Sequence, residues 1–297
     1  MGIDWRLPAD PARNAFVLGE RRAEAPRLYV GTVGWGYREW VGEVYPPKTP
    51  VKDYLRTYAR RYRSVELNAT FYRIPQIEQA EAWAAATPED FRFGPKVTQT
   101  LSHVKPLGGD ARLIEEFVTS MRGFGSRLGT VFLQLPPDFS RRRESELRDF
   151  FDAVDGRLPL AVEFRHESFF RAGALVDPVR RFFEDRGVAV VMTDTAGRRD
   201  VLHADLCAKR AFVRFRGNED EATDLARLRD WAAKVAGWFE QGLEELYFYV
   251  HQPNNVKAPP TLEKALELFG ESTGLETWPR DRREAGRDEV RPQLSLF

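Results

Sequence analysis

The run Leu160-Ala161-Val162-Glu163-Phe164-Arg165 is apolar where it begins and charged where it ends. In a β-strand, alternate side chains share a face. Val162 and Phe164 therefore point one way, and Glu163 and Arg165 the other. A parallel strand that is apolar on one face and ends in two opposite charges on the other leads into a polar site. The same design recurs along the chain. Strand-like runs fall at Leu28–Val33, Ser64–Asn68, Arg92–Lys96, Thr130–Leu135, Pro159–Arg165, Val188–Asp194, Ala211–Arg216 and Leu246–His251, eight in all.

Helix signals separate these runs. Thr49-Pro50 opens Val51–Tyr62, Gln76–Ala86 lies between two prolines, and Ser140 caps a charged segment through Phe151. Asp177-Pro178 opens another helix that ends at Gly187. In Ala222–Gln241, Leu225, Leu228, Trp231, Ala232, Val235 and Phe239 form one apolar stripe. Strand and helix thus alternate eight times. This predicts an α/β protein, a single-domain (β/α)8 TIM barrel, a fold that usually needs about 250 residues. An open doubly wound sheet would want a GxGxxG turn after the first strand, and Gly31-Thr32-Val33-Gly34-Trp35-Gly36 is not one. The predicted division is an N-terminal extension at 1–27, the barrel at 28–269, a flexible charged tether at 270–292 and a peptide at 293–297.

Composition narrows the class. The chain has 297 residues, 42% hydrophobic, with 45 basic side chains balanced by 45 acidic ones. These fractions describe a folded protein, and zero net charge argues against wholly electrostatic binding to nucleic acid. No apolar run is long enough to span a membrane, and no basic head with an apolar stretch opens the chain. Cys207 is the only cysteine, which suits a reducing cytoplasm.

Seven of the runs end in polar side chains, and barrel enzymes collect their chemistry at the C-terminal ends of the strands. The expected catalytic groups are Glu66, Glu163, Asp194 and Lys96. Asn68, Gln134, Arg165, Arg214, Arg216, His103, His166 and His251 are expected to bind substrate, with Trp35, Tyr37 and Tyr72 as stacking faces at the rim. Carboxylates beside fixed cations suit acid/base work, and guanidinium groups in a concave site suit phosphate or carboxylate. The plain alternative is an ion-pair network that only fills the barrel. No HExxH, cysteine cluster or calcium loop occurs, so no metal site is expected. A single Mg2+ on Glu66, Glu163 or Asp194 stays open. Ala204–Lys209 reads as a short helix in which Cys207 is packing.

These residues also carry a resemblance. Val30-Gly31-Thr32-Val33-Gly34-Trp35 with Trp40 and Tyr45-Pro46, then Val65-Glu66-Leu67-Asn68 followed by Thr70-Phe71-Tyr72, resemble the YecE-like family, domain of unknown function 72. The likeness continues through Phe91–Lys96 with His103, Phe132-Leu133-Gln134-Leu135-Pro136-Pro137, Glu163-Phe164-Arg165-His166 and Arg214–Gly217. It implies a TIM barrel and no settled reaction. The chain departs from the family at Arg216, where a His usually precedes the Gly, and at Val250–Asn255, where an Asn-rich turn is usual.

The C-terminal stretch reads differently from the rest. Pro279–Pro292 holds five Arg and four acidic residues with almost nothing apolar, and then comes Gln293-Leu294-Ser295-Leu296-Phe297. Large apolar side chains after a solvated stretch tend to mark a contact site. This pentapeptide resembles the bacterial sliding-clamp-binding motif at every position, with Gln293, Leu294, Leu296 and Phe297 as the contacts. The alternative is a latch on the barrel. Together these features predict a cytoplasmic hydrolase or lyase of DNA repair, acting on a nucleic-acid or nucleotide-derived substrate and recruited by the clamp. Rival readings are a sugar or sugar-phosphate enzyme with an incidental tail, and a non-catalytic adaptor.

Overall fold

The computed structural model describes residues 3–278 apart from residues 20 and 155. Eight parallel strands form one sheet: β1 Arg27–Val33, β2 Ser64–Leu67, β3 Arg92–Pro95, β4 Val131–Gln134, β5 Leu160–Glu163, β6 Ala189–Asp194, β7 Arg210–Arg216 and β8 Glu245–His251. Neighbours run β3-β2-β1-β8-β7-β6-β5-β4. Bridges Phe93↔Leu128 and Lys96↔Phe132, with the Val97 amide donating to Phe132 O at 2.9 Å, join β3 to β4 and close the ring. The result is a TIM barrel. All eight expected runs are strands, each within about two residues of its expected ends.

Alternation decides what each strand shows to the interior. Tyr29, Phe132, Ala161, Ala189, Val191, Phe212, Tyr247 and Tyr249 form one buried cluster inside the ring. Large rings on β8 need small partners across from them. A Cβ on Gly94 would lie 2.4 Å from Tyr249 Oη, and one on Gly31 would lie 1.9 Å from Ser64 O. Val65, Leu67, Phe93, Val162, Val190 and Met192 belong to the outer layer, packed under the helices.

Helices follow every strand but one. After β6 comes a 3-10 segment, Ala196–Val201, and Ala204–Lys209, expected as a helix, is irregular. The N-terminal helix Asn14–Leu18 fills that gap. Asn14 Nδ2 donates to Ala204 O at 2.7 Å and its Oδ1 accepts from Leu206 N at 3.0 Å, so one amide pairs backbone groups that no helix satisfies. Asp10 joins it to the helix Glu221–Gln241 through Lys234 Nζ at 2.7 Å and Trp238 Nε1 at 3.0 Å. Cys207 is buried there, and burial pushes its thiol well above the usual range, in keeping with packing.

At the other end, the last helix is Ala258–Thr273 and does not stop at Phe269. Leu275 and Trp278 pack against the core and Thr277 is buried. Residues 270–278, expected as tether, are packed structure. The rest of the tether and the peptide at 293–297 lie outside the described residues. Among the described residues no helix is long and apolar enough to cross a membrane.

Asn14→Ala should cost about 1–3 kcal/mol, because Ala204 O and Leu206 N stay buried without partners. Urea unfolding of the two proteins checks this; unchanged stability would show that the N-terminal helix does not hold the β6–β7 connection.

Candidate active site

The interior faces continue upward into the mouth. Two residues beyond Phe132, Ala161, Phe212 and Tyr249 stand Gln134, Glu163, Arg214 and His251, on faces set by the strands themselves. Arg214 is the centre. Its Nε and Nη2 donate to Glu66 Oε2 and Oε1, both at 2.9 Å, and its Nη1 donates to Glu163 Oε2 at 2.7 Å. His251 Nε2 lies 3.0 Å from Glu66 Oε2. Gln134 Nε2 donates to both Glu163 oxygens at 2.9 Å, and Lys96 Nζ donates to Gln134 Oε1 at 2.8 Å. Six side chains thus form one chain from Lys96 to His251.

Electrostatics follow from burial and these contacts. Burial alone would raise Glu66 and Glu163, which are 0% and 2% exposed, but both are held below the usual carboxylate range. Burial is the largest single effect at both, and it is outweighed only by the partners together: Arg214 first, with His251 at Glu66 and with Gln134 and Arg165 at Glu163. Lys96 is brought down to about 8, first by burial and then by Arg214, against the pull of Glu163 and Glu66. Burial also lowers His251, so its ring is neutral at pH 7. Since Nε2 is shared with a carboxylate, Nδ1 is the acceptor of that neutral ring.

Above this chain opens a cavity of about 240 Å3. Gln134, Glu163, Arg165, Arg214, Arg216 and His251, all among the expected site residues, line it, and Glu66 and Lys96 join it through their bonds. Thr193, Thr195 and Arg198 also line it, and sequence reasoning missed them. Thr193 continues the inward face of Ala189 and Val191, which the sequence of this strand, apolar on both faces, does not reveal.

That same alternation overturns Asp194. It lies on the outward face with Val190 and Met192, fully buried outside the ring. Trp231 Nε1 donates to it at 2.9 Å and Arg227 Nη2 stands 2.9 Å away, with Arg199 as a further partner. Arg227, 1% exposed, also contacts Asp224, and its guanidinium lies 4.5 Å from the centre of the Trp5 ring. Asp194 therefore anchors a helix to the barrel and cannot reach the mouth.

Other expected contacts stand apart from the cavity. Trp35 packs edge-on against Trp83 and Phe93 in the outer layer. Tyr37 packs at a tilt against Trp40 and donates to Val33 O at 3.0 Å. His166 Nδ1 accepts from Ser168 N at 3.1 Å, a turn contact. Asn68 has a buried Oδ1 with no hydrogen bond among the described residues. Tyr72, 72% exposed, and His103 flank Phe71, whose ring lies 3.9 Å from Lys96 Nζ. Phe71 is thus the aromatic neighbour of the site that was not singled out.

Among the described residues no group of three His, Cys, Asp or Glu is placed to hold a metal ion. Glu66, Glu163 and Asp194, the three carboxylates considered for Mg2+, are all bonded to guanidinium groups.

With the geometry in place, residues 29–283 match the family described as protein of unknown function DUF72. The chain belongs to the DUF72 family. UPF0759 protein YecE of Escherichia coli (strain K12) is 31% identical over 250 residues, covering 78% of this chain and 89% of that protein. UPF0759 protein YunF of Bacillus subtilis (strain 168) is 32% identical over 151 residues, covering 48% of this chain and 52% of that protein. A crystal structure of a DUF72 protein from Enterococcus faecalis V583 superposes with a TM-score of 0.66 at 17% identity, covering 86% of this chain and 100% of that one. One from Thermotoga maritima MSB8 gives 0.64 at 23% identity, over 84% and 100%. At these identities the likeness establishes the shared DUF72 fold alone.

Arg214→Gln should leave two buried carboxylates without their cation, at a cost of about 3–5 kcal/mol near pH 7. Without Arg214 both carboxylate pKa values rise. The variant then takes up protons as the pH falls, and its deficit against wild type should shrink by about pH 5. Urea titrations at the two pH values check the sign; an equal deficit at both would show that Arg214 does not hold the carboxylates ionised.

Proposed function

We propose that the mouth is an active site of hydrolase or lyase type for a nucleotide-derived, phosphorylated ligand, and that residues 293–297 recruit the protein to the DNA sliding clamp. The observation that carries the first part is charge placed without a partner. Arg165 and Arg216 line the cavity and, among the described residues, neither side chain makes a hydrogen bond or ion pair. Such guanidinium groups beside a neutral imidazole and an amine of lowered pKa suit an anionic substrate that must gain or lose a proton.

In this reading Arg165 and Arg216 hold the anion. Glu66 orients His251 and fixes its tautomer, so that Nδ1 is the base. Lys96, linked through Gln134, is the proton donor, and Glu163 stabilises developing positive charge. Asp194 has no part in it. At about 240 Å3 the cavity is small for a ligand site and fits one nucleotide or sugar-phosphate unit, so a nucleic acid would present one unit at a time. The same dimension favours a sugar-phosphate enzyme as the second reading. The tether would let clamp binding raise the local concentration of DNA around a protein of zero net charge.

Glu163→Gln keeps the volume and removes the charge. In a screen of the full chain on single-stranded and damaged DNA, nucleotides and sugar phosphates, it should lower the rate by about 10²-fold or more. A variant as fast as wild type would remove Glu163 from the reaction. The wild-type rate should fall at low pH as His251 gains a proton and again above about 8 as Lys96 loses one. For the second part, Leu296→Ala with Phe297→Ala should abolish a clamp affinity expected near the micromolar range (Kd about 10⁻⁶ M) while the melting temperature stays put. Equal clamp binding by both proteins would dispose of the motif; a large fall in melting temperature would point to a latch.

A further inference from the structure

We infer that the cavity recognises a terminal phosphoryl group, a phosphomonoester dianion, in preference to the monoanionic phosphodiester of an unbroken strand. The inference rests on reading the mouth as a ligand site and goes further, because it names the charge and valence of what binds.

The first support is a charge count. Lys96, Arg165, Arg214 and Arg216 bear positive charge in or against the cavity, and Glu66 and Glu163 bear negative charge. Arg198 is balanced by Asp200, at 3.0 Å, and His251 is neutral. Two positive charges remain uncompensated. A dianion matches them, whereas a diester would leave one unmatched.

The second support is the donor set. Thr193 lines the cavity, and its Oγ1 is buried with no hydrogen-bond partner among the described residues. An orphaned hydroxyl is costly, and a turn of the Thr193 side chain about its Cα–Cβ bond would bring it to a phosphoryl oxygen. Thr193 and Arg216 are on β6 and β7, and Arg165 stands two residues past the end of β5, so all three come from neighbouring strand ends. Arg198 Nη2 donates to Arg165 O at 2.6 Å and steadies the backbone beneath one of them. Two guanidinium groups and a hydroxyl lining one cavity suit the three free oxygens of a monoester.

The test is binding by the full chain, without reference to turnover. Glycerol 3-phosphate, dimethyl phosphate and sulfate are titrated by calorimetry at about pH 7.5 and about pH 5, either side of the second phosphate pKa near 6. The monoester should bind at least about 10-fold more tightly than dimethyl phosphate at the higher pH, and lose that margin at the lower. Above about 8 its affinity should fall again as Lys96 loses its charge among Arg214, Arg165, Glu163 and Glu66. Arg165→Met and Arg216→Met should each weaken the monoester about 10-fold with little change in melting temperature, since among the described residues neither forms a direct ion pair with a buried carboxylate. Thr193→Val should weaken it by a smaller factor. Equal affinity for the diester, no binding of the monoester, or sulfate binding as tightly as the monoester and untouched by both Arg variants would each overturn the inference. If the monoester binds as expected but no reaction is ever found, the catalytic reading fails and this one stands. If turnover is found on internal diesters alone, the reverse holds.

Discussion

The mouth of this barrel depends on one guanidinium. Arg214 reaches two carboxylates that stand on different strands, Glu66 of β2 and Glu163 of β5, and bonds to both. Two buried carboxylates without it would repel each other in a medium of low dielectric, and at least one would take up a proton. With it, both stay ionised. Everything else in the mouth follows from that. Glu66 has an oxygen left to orient His251, Glu163 accepts Gln134, and the oriented Gln134 offers its carbonyl to Lys96. The lowered Lys96 and the neutral His251 are consequences of being buried beside a cation that is already in use.

A second charged network lies on the other side of the same wall. Asp194, Arg227 and Trp231 join the outer face of β6 to the helix Glu221–Gln241, with Trp5 of the N-terminal segment over Arg227. Asn14 pairs the irregular chain after β6, and Asp10 bonds to the same helix. The sixth unit of the barrel has no α-helix of its own, and residues from the start of the chain occupy its place. The loop bearing Arg198, which lines the cavity, is held from outside by Arg199 on Asp194. The two networks are thus back to back, the inner one open to a ligand and the outer one closed.

Much of this was legible in the sequence. Eight apolar runs with helix punctuation dictate the barrel, because parallel strands buried on both faces must be apolar and must be joined by crossovers. In Val65-Glu66-Leu67, Val162-Glu163-Phe164 and Phe212–Arg216 the inward residue is evident, since the charge alternates with a bulky apolar neighbour. β6 defeats the same rule. Ala189-Val190-Val191-Met192-Thr193-Asp194 is apolar on both faces, so nothing in it says whether Thr193 or Asp194 turns inward. Only pairing with β7, where Thr193 stands opposite Arg214, fixes the parity.

The sequence by itself determined the fold, the face of each alternating strand and the stock of charges at the strand ends, because these depend on local periodicity. Tertiary structure alone decided which charges meet. Glu66 and Arg214 are 148 residues apart and become partners only when the ring closes. It also decided that Trp35 and Asp194 pack outside the barrel while the side chains of Arg165 and Arg216, among the described residues, are left without partners at its mouth. Pairing across a closed sheet is a long-range property, set by register and by the volume each side chain finds, and no window along the chain contains it.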